Sequence, residues 1–418
     1  MTTILPQPLT PTLAPIRLRA KLARTILEQV LARVPVDVVL PDGSRLGGMA
    51  VRPSEPSGIR PTVELRNPDA FFERLAHHPK IGIGEGYMAG DWRAAPGTDL
   101  ADALRPFAER LTTAIPRAWL ALRQVVDRAI PREQRNTVTG SRRNIEAHYD
   151  LSNDLFAAFL DQTLTYSSAL FDPTSPVEGQ SLEDAQLRKV HAILDEARVQ
   201  EGSRVLEIGT GWGTLAIEAA KRGAQVTTLT LSREQAALAQ RRVEAAGVAA
   251  RVDIRLEDYR EARGSFDAIV SVEMIEAVGE EYWPTYFRTL DRLLAPGGTV
   301  AIQAILMSHD RYLVTRRSYG WIQKHIFPGG LIPSLQALSA VTGRETGLRV
   351  TRVHTFGQDY AETLHRWRAT FLRAWPEVER LGFDETFRRK WEFYLAYCEA
   401  GFASGYLDVA QLRLERTA

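Results

Sequence analysis

Three glycines at alternate positions form the chemically most informative segment of the chain. They lie in Val205-Leu-Glu-Ile-Gly-Thr-Gly-Trp-Gly213, where a buried-strand pattern passes directly into a helical one. Glycine lets the backbone approach a ligand closely, since a side chain there would collide with it. The spacing G-x-G-x-G, preceded by Glu207, differs from the G-x-G-x-x-G of dinucleotide-binding loops. Position 229 is leucine where such a loop needs a ribose-binding acid, so a dinucleotide site is disfavoured.

Strands and helices alternate from about Ser203 onward. Helical segments near 212–222, 232–246 and 281–293 separate short β-branched runs. The predicted strands are Arg204–Ile208, Gln225–Thr230, Val252–Leu256, Ala268–Val272 and Thr299–Ile305. This alternation predicts an α/β fold, with a mostly parallel sheet covered by helices on both faces. The run from Tyr360 onward is predicted to be helical and is rich in aromatic residues.

The N-terminal part is the basic part of the chain: residues 1–150 carry 21 Lys and Arg against 16 Asp and Glu. A helix is predicted from Ile16 to Val34, with an apolar stripe at i, i+4 spacing from Leu18 to Val34. Cations crowd its first turns, which fits either contact with an anionic membrane surface or a solvated helix packed by its stripe. A Pro-rich stretch at 53–61, small strands and turns around 81–85, and a basic helical run over 104–143 are expected to follow.

Composition excludes several classes of protein. The 418 residues are 44% hydrophobic with a net charge of +1, which suits a globular chain and gives nucleic-acid binding no support. The single cysteine, Cys398, cannot form an internal disulfide and leaves no cluster for a metal, so a reducing cytoplasm is expected. The longest uncharged apolar stretch, 299–307, is shorter than the roughly 18 residues of a membrane span. No secretory signal is predicted.

Eight blocks in a fixed order resemble the cyclopropane-fatty-acyl-phospholipid and mycolic acid synthase family of class I S-adenosylmethionine (SAM)-dependent methyltransferases. The resemblance runs from about Ile81 to the C-terminus and is weaker before Asn144. The blocks are Gly84–Trp92, Asn144–Asp150 with Asn153–Phe156, Thr165–Ser168, the glycine loop, Thr230–Gln235, Glu257–Arg260, Phe327–Gly330 with Ile332–Ser334, and Phe356–Tyr360.

The resemblance implies a Rossmann-like catalytic domain at 136–418 with a lipid-binding insertion at about 308–334. A smaller, mixed N-terminal domain at 1–135 would contact lipid and other subunits. It also implies a set of SAM contacts. These are Tyr166, Ser167, Gly209, Gly211, Gly213, Thr230, Leu231, Gln235 and Glu257.

In this family a bound bicarbonate is thought to remove the proton after methyl transfer. By the matching motifs, the positions of the bicarbonate ligands in this chain are Ser168, Glu276, Gln303, Ile305 and Tyr360. Ser168 stands where the family has cysteine and Gln303 where it has histidine, so anion binding should be weaker and bicarbonate is a doubtful cofactor. Tyr360 could also stabilise a cation through its ring face.

Loss of bicarbonate would require another base, and we expect Glu146 to supply it. Glu146 lies in the His-Tyr-Asp block that lines the family's site, where a small residue is common. Burial beside an apolar chain would raise the pKa of this carboxylate and make it a better base. A surface glutamate at a helix start is the competing interpretation. His148, in the same block, is expected to make a structural hydrogen bond.

These residues predict methyl transfer from SAM to the double bond of an unsaturated phospholipid acyl chain, giving a methylene branch. A cyclopropane product is the first alternative; a methyltransferase for small molecules and a non-catalytic SAM-binding subunit are the others. A separate flavin- or NADPH-dependent reductase would be needed to make a methyl branch. We expect a homo-oligomer at the inner face of the membrane, without a metal or nucleic acid.

Overall fold

The computed structural model describes residues 13–47, 60–110 and 152–417, and divides the chain into two compact units, 1–126 and 127–418. The first unit contains a three-stranded sheet with strand order β1-β2-β3, in which β2 pairs parallel to β1 and antiparallel to β3. Its described elements are α1 Leu13–Leu31, β1 Asp37–Val39, β2 Thr62–Leu65, α2 Pro68–His77, α3 Pro79–Ala89, β3 Trp92–Ala94 and α4 Leu100–Arg110.

The segment around Ile81–Glu85 is helical, so the prediction of small strands and turns there is wrong. It lies inside α3, which Pro79 starts immediately after α2 ends. A Cβ at Gly82 would come within 2.5 Å of the carbonyl oxygen of Arg74. Glycine therefore allows α3 to pack directly against the backbone of α2, and the glycines reflect helix packing.

Helix α1 confirms the predicted N-terminal helix but buries less of its apolar stripe than expected. Leu31 and Val34 are fully buried, whereas Leu18 is 73% exposed and Leu22 is 46% exposed. The exposed pair lies beside the exposed cations Arg19 and Lys21. The Pro-rich stretch and the run from 104 fall largely outside the described residues; α4 covers the start of that run.

The second unit is built on a seven-stranded sheet with the order β6-β5-β4-β7-β8-β10-β9. The first five strands in this order are parallel, and β10 is antiparallel to both of its neighbours. The strands are β4 Arg204–Ile208, β5 Gln225–Thr230, β6 Val252–Leu256, β7 Phe266–Val272, β8 Leu294–Met307, β9 Leu348–Thr355 and β10 Leu407–Arg416. All five predicted strands are confirmed; β9 and β10 were not predicted.

Helices cover both faces of this sheet, which confirms the predicted α/β fold. They are α5 Asn153–Phe159, α6 Leu182–Glu196, α7 Thr214–Lys221, α8 Arg233–Ala245, α9 Ile275–Val278, α10 Trp283–Leu293, α11 His309–Thr315, α12 Trp321–His325, α13 Leu335–Glu345, α14 Gly357–Arg373, α15 Trp375–Arg380 and α16 Glu385–Ala403. Val205 of β4 belongs to the core formed with α6 and α7, whereas Leu206 belongs to the core formed with α10. Burial on both faces explains why these strands are continuously apolar.

Within the described ranges, no helix is both long and apolar enough to cross a membrane.

Candidate functional site

The glycine turn lies at the carboxyl end of β4 and leads into α7. Gly209, Gly211 and Gly213 have φ angles of 99°, 52° and 90°, in the left-handed region that favours glycine. The N–H groups of Gly209 and Thr210 donate to the carbonyl of Leu229 at 2.9 and 3.1 Å, which holds the turn against β5. A Cβ at Gly211 would meet no atom within 4 Å. The turn therefore presents bare backbone to open space, as a ligand lying against it requires.

The other predicted cofactor residues of the sheet lie at the same edge. Because β4, β5 and β6 are parallel neighbours, their carboxyl ends lie side by side. Thr230 ends β5, and its hydroxyl donates to Oε1 of Gln235 at 3.1 Å. Leu231, between them, is half-buried, and Glu257 directly follows β6. The structure thus brings the glycine turn, Thr230, Gln235 and Glu257 to one edge of the sheet.

Glu207, the acid before the turn, is buried within β4. Its Oε2 accepts a hydrogen bond of 2.6 Å from the hydroxyl of Thr228, and the Thr210 hydroxyl lies 2.7 Å from that same hydroxyl. Burial raises the pKa of Glu207 to about 8. These side-chain contacts link β4, β5 and Thr210 of the turn, so Glu207 helps to hold the turn in place.

The segment Tyr166–Ser168 contacts helix α6 and the C-terminal helices α14 and α16. The hydroxyl of Tyr166 is 2.8 Å from that of Tyr394, and its ring packs 5.3 Å from Trp367. The carbonyl of Ser167 accepts a 2.9 Å hydrogen bond from Gln186, and the Ser167 hydroxyl accepts one from Lys189. Helix α6 therefore positions this segment through two buried polar side chains.

A buried carboxylate, that of Glu273, lies at the centre of these elements. Glu273 directly follows β7, and its own N–H donates to the carbonyl of Gln303 at 2.8 Å. Its Oε1 accepts hydrogen bonds of 2.9 Å from the N–H of Ser168 and from Nε2 of Gln303. Its Oε2 accepts one of 2.7 Å from the hydroxyl of Tyr360. Three donors on three separate elements thus converge on one carboxylate.

A second carboxyl group, Glu276, lies one helical turn away in α9. Its Oε1 accepts the N–H of Ile305 at 2.5 Å, while its buried Oε2 has no hydrogen-bond partner among the described residues. Burial, together with the charge of Glu273, raises the pKa of Glu276 to about 8. This rise favours the protonated form of Glu276 at neutral pH, so a negative charge on the pair is favoured on Glu273, which accepts three hydrogen bonds.

Lys189 supplies the positive charge near this pair. It is fully buried in α6, and burial lowers its pKa to about 8 although the charge of Glu273 acts in the opposite direction. Burial also raises the pKa of Glu273, while Lys189 and the three donors oppose that rise. The two groups thus stabilise each other's charged forms in an interior that would otherwise disfavour both.

Aromatic rings pack around Tyr360, the residue whose hydroxyl contacts Glu273. The ring of Tyr360 stacks on Phe402 at 4.4 Å and meets Trp367 edge-on at 6.2 Å. Burial raises the pKa of Tyr360 well above its usual range, so its hydroxyl stays protonated and acts as a donor. The arrangement places a buried, hydrogen-bonded carboxyl group beside aromatic rings.

The sequence-predicted anion ligands are close together but bind a side chain of the protein. Ser168 contacts Glu273 through its backbone N–H, because its hydroxyl donates to the carbonyl of Ala169 at 2.9 Å. Gln303 donates to Glu273 and accepts from Gln411 at 3.2 Å. Glu146 and His148 lie outside the described residues.

Sequence reasoning missed Glu273 and Lys189. The signal for Glu273 was its position directly after the strand that neighbours β4, since functional side chains collect at the carboxyl ends of parallel strands. Lys189 lies in an amphipathic helix with no motif, and only the tertiary structure shows that it is buried. Within the described ranges, no group of three or more His, Cys, Asp or Glu could hold a metal.

Known proteins resemble this chain over most of its length. The profile of the mycolic acid cyclopropane synthetase family matches residues 136–412. The tuberculostearic acid methyltransferase of Mycobacterium tuberculosis is 48% identical over 400 residues, which are 95% of this chain and 91% of that protein. The cyclopropane-fatty-acyl-phospholipid synthase of Escherichia coli is 33% identical over 383 residues, covering 88% of this chain and 90% of that one.

Solved structures agree with these sequence matches. A mycolic acid cyclopropane synthase complexed with SAH and CTAB superimposes with a TM-score of 0.60 at 30% identity, covering 66% of this chain and 98% of that one. A coclaurine N-methyltransferase shares the fold, with a TM-score of 0.57 at 17% identity. The chain belongs to the mycolic acid cyclopropane synthetase family, within the class I SAM-dependent methyltransferases.

Proposed function

We propose that this chain transfers the methyl group of SAM to the double bond of an unsaturated fatty acyl chain in a phospholipid, and that it leaves a methylene branch. The observation that carries the proposal is the buried carboxylate of Glu273, set among aromatic rings next to a glycine turn of the kind that binds SAM. The names of the two relatives, a tuberculostearic acid methyltransferase and a cyclopropane-fatty-acyl-phospholipid synthase, support this substrate class.

The chemistry requires such an environment. An isolated alkene is a poor nucleophile, and its methylation produces a carbocation that water would capture, so the reacting centre must be dry. Bound SAM would supply an electrophilic methyl group on a sulfonium. The glycine turn, Thr230, Gln235 and Glu257 would hold it, with Tyr166 and Ser167 on the other side. The aromatic walls exclude water and offer ring faces to the cation.

The product depends on which proton leaves and when. Proton loss directly from the added methyl group closes a cyclopropane, whereas a hydride shift before that loss leaves an exocyclic methylene. We favour the methylene product because the more similar of the two relatives carries the name of a branched acid and matches at 48% identity. A cyclopropane is the second candidate, supported by the 33% identical synthase. Reduction of the methylene to a methyl branch would fall to a separate flavin- or NADPH-dependent reductase.

The substrate is expected at a membrane surface. Leu18 and Leu22 expose apolar surface beside Arg19 and Lys21, the combination that inserts between anionic headgroups. In the proposed lipid-binding insertion, Leu313 is 51% exposed on α11, while Arg316 is paired with Glu280 at 2.6 Å. We propose attachment to the inner face of the membrane, and assembly into a homo-oligomer.

Substitution of Gly209 by Ala should weaken SAM binding. The new Cβ would lie 2.8 Å from the Met274 side chain, and the residue would keep a φ of 99°. We expect the Kd for SAM to rise at least about tenfold, measured by calorimetry. Gly202→Ala is the matched control, because Gly202 has a φ of 80° with open space around a Cβ. Equal effects of the two substitutions would show that backbone strain alone is responsible.

The product can be identified directly. Purified protein is incubated with methyl-labelled SAM and vesicles of an oleoyl phospholipid, and the released acyl chains are analysed by mass spectrometry. We expect one labelled carbon per chain and a fragmentation pattern typical of a methylene branch. A ring-containing product would favour the cyclopropane candidate. Labelling of a headgroup or of a soluble amine, with unchanged acyl chains, would refute the proposed function.

Membrane attachment is tested by co-sedimentation with anionic vesicles. Leu18→Glu combined with Leu22→Glu should lower the bound fraction severalfold, because acidic side chains would be repelled by anionic headgroups. Leu381→Glu is the control at a leucine that is 42% exposed elsewhere. An unchanged bound fraction in the double variant would exclude α1 as the contact.

A further inference from the structure

Building on the proposed methyl transfer, we propose that Glu273 is a catalytic residue: its carboxylate accepts the proton lost after methylation and fills the site of a dissolved anion. No sequence motif identifies Glu273. Four structural features support its role: its position next to the glycine turn, the donors around it, its backbone conformation and its charged neighbours.

Glu273 lies next to the expected position of the methyl donor. Strands β4 and β7 are parallel neighbours, so the residues that follow them are adjacent at the edge of the sheet. The side chain of Met274 packs so closely on Gly209 that a Cβ there would lie 2.9 Å from its Sδ. Residues 273–274 and the glycine turn therefore form one continuous surface.

The hydrogen bonds define how the carboxylate could act. Oε1 is held by two donors, Ser168 N–H and Gln303 Nε2, which fix the orientation of the group. Oε2 accepts from Tyr360 alone, so it retains a lone pair for a proton. A base of this kind is positioned by three contacts and still has a free site for the proton.

The neighbouring ionisable groups are less suited to this role. Glu276 is protonated at neutral pH, and the hydroxyl of Tyr360 keeps its proton. Lys189 is a donor to Ser167. Among these described groups, Glu273 is the carboxylate that three donors contact and that the positive charge of Lys189 favours in its charged form.

Its backbone conformation also indicates a functional role. Glu273 has a φ of 51°, and only three other non-glycine residues in the described ranges have a positive φ. This conformation is unfavourable for a residue with a Cβ. Strain of this kind collects at functional sites, where the surrounding structure holds it in place.

The proposed reaction forms one C–C bond, shifts one hydride and removes one proton. The π electrons of the alkene form a bond to the methyl carbon as the sulfonium C–S bond breaks. The electron pair of the broken C–S bond stays on sulfur. A hydride then moves from the methylated carbon to the adjacent cationic carbon. A C–H bond of the added methyl group breaks, its electrons form the exocyclic double bond, and the proton passes to Oε2 of Glu273.

Glu273→Gln is the primary test. Because glutamine keeps the shape but is a very weak base, we expect product formation to fall about 100-fold or more, with the SAM Kd and the unfolding temperature little changed. Glu377→Gln, at an exposed glutamate of α15, is the control and should retain full activity. Wild-type activity in Glu273→Gln would overturn the proposal.

Glu273→Gly gives a second, independent readout. It removes the carboxylate together with the cost of the left-handed φ, so the relief of backbone strain should offset a part of the stability lost with the carboxylate contacts. The emptied site keeps its three donors, and added bicarbonate or formate should restore a part of the lost activity in proportion to its concentration. A fully active glycine variant without added anion would contradict the role of the carboxylate.

The pH profile tests the role of Lys189 as a positioning residue. Lys189, Glu276 and Tyr360 are the ionisable side chains facing Glu273 from α6, α9 and α14. Removing the positive charge in Lys189→Met should raise the pKa of Glu273, so the acid limb of the activity profile should move to higher pH. An acid limb that stays in place or moves to lower pH would show that Glu273 is not the titrating base.

Glu146 is the competing base, and Glu146→Gln completes the set. Loss of product in Glu146→Gln with retention in Glu273→Gln would overturn the proposal and assign the proton to Glu146. This outcome differs from failure of the proposed function, in which the wild-type protein itself would make no modified acyl chain from any unsaturated phospholipid.

Discussion

The site depends on the buried carboxylate of Glu273, which accepts three hydrogen bonds and interacts electrostatically with Lys189. A charge removed from water is stable only when it is paired and hydrogen-bonded. The contacts that meet this requirement come from the segment before α6, from β8 and from α14. The same contacts join four parts of the second unit around one group, so the geometry of the site and the position of the charge are set together.

This arrangement links stability to function. Glu207 and Glu276 are held at pKa values of about 8 by burial, and the unfolded chain would ionise both near 4.5. Between about pH 4.5 and pH 8 the folded state therefore binds more protons than the unfolded state. The free energy of unfolding falls as the pH rises through this range. The strained backbone at Glu273 also lowers the free energy of unfolding. A site that holds an ionised base in an apolar interior gives up some stability for its chemistry.

The features that could be predicted were those that the local sequence determines. Alternating strands and the glycine turn follow from periodicity and from the need for positive φ, so β4–β8 and the turn were located correctly. Gly82 and Gly84 led to the wrong prediction for Ile81–Glu85, because glycine permits close helix packing as well as turns. Strands β9 and β10 were missed because the long aromatic helices between them dominate the C-terminal pattern.

The acid at the centre of the site could not be identified from sequence because its contacts come from residues that only the tertiary structure brings together. Glu273 and Glu276 are both written in the sequence, but only the fold shows that donors from positions 168, 303 and 360 converge on the first. Sequence reasoning grouped those three positions, which the structure brings together, and the weaker anion binding inferred from them stays a prediction. Its candidate, Glu146, lies outside the described residues, whereas the described structure offers Glu273.

The most direct measurement is the dependence of the wild-type rate on bicarbonate. Initial rates of acyl-chain methylation are compared in buffer freed of carbon dioxide and in the same buffer with bicarbonate restored. If the carboxylate of the chain itself occupies the anion site, the two rates will be equal. A rate that collapses without bicarbonate and recovers on its addition would contradict the account.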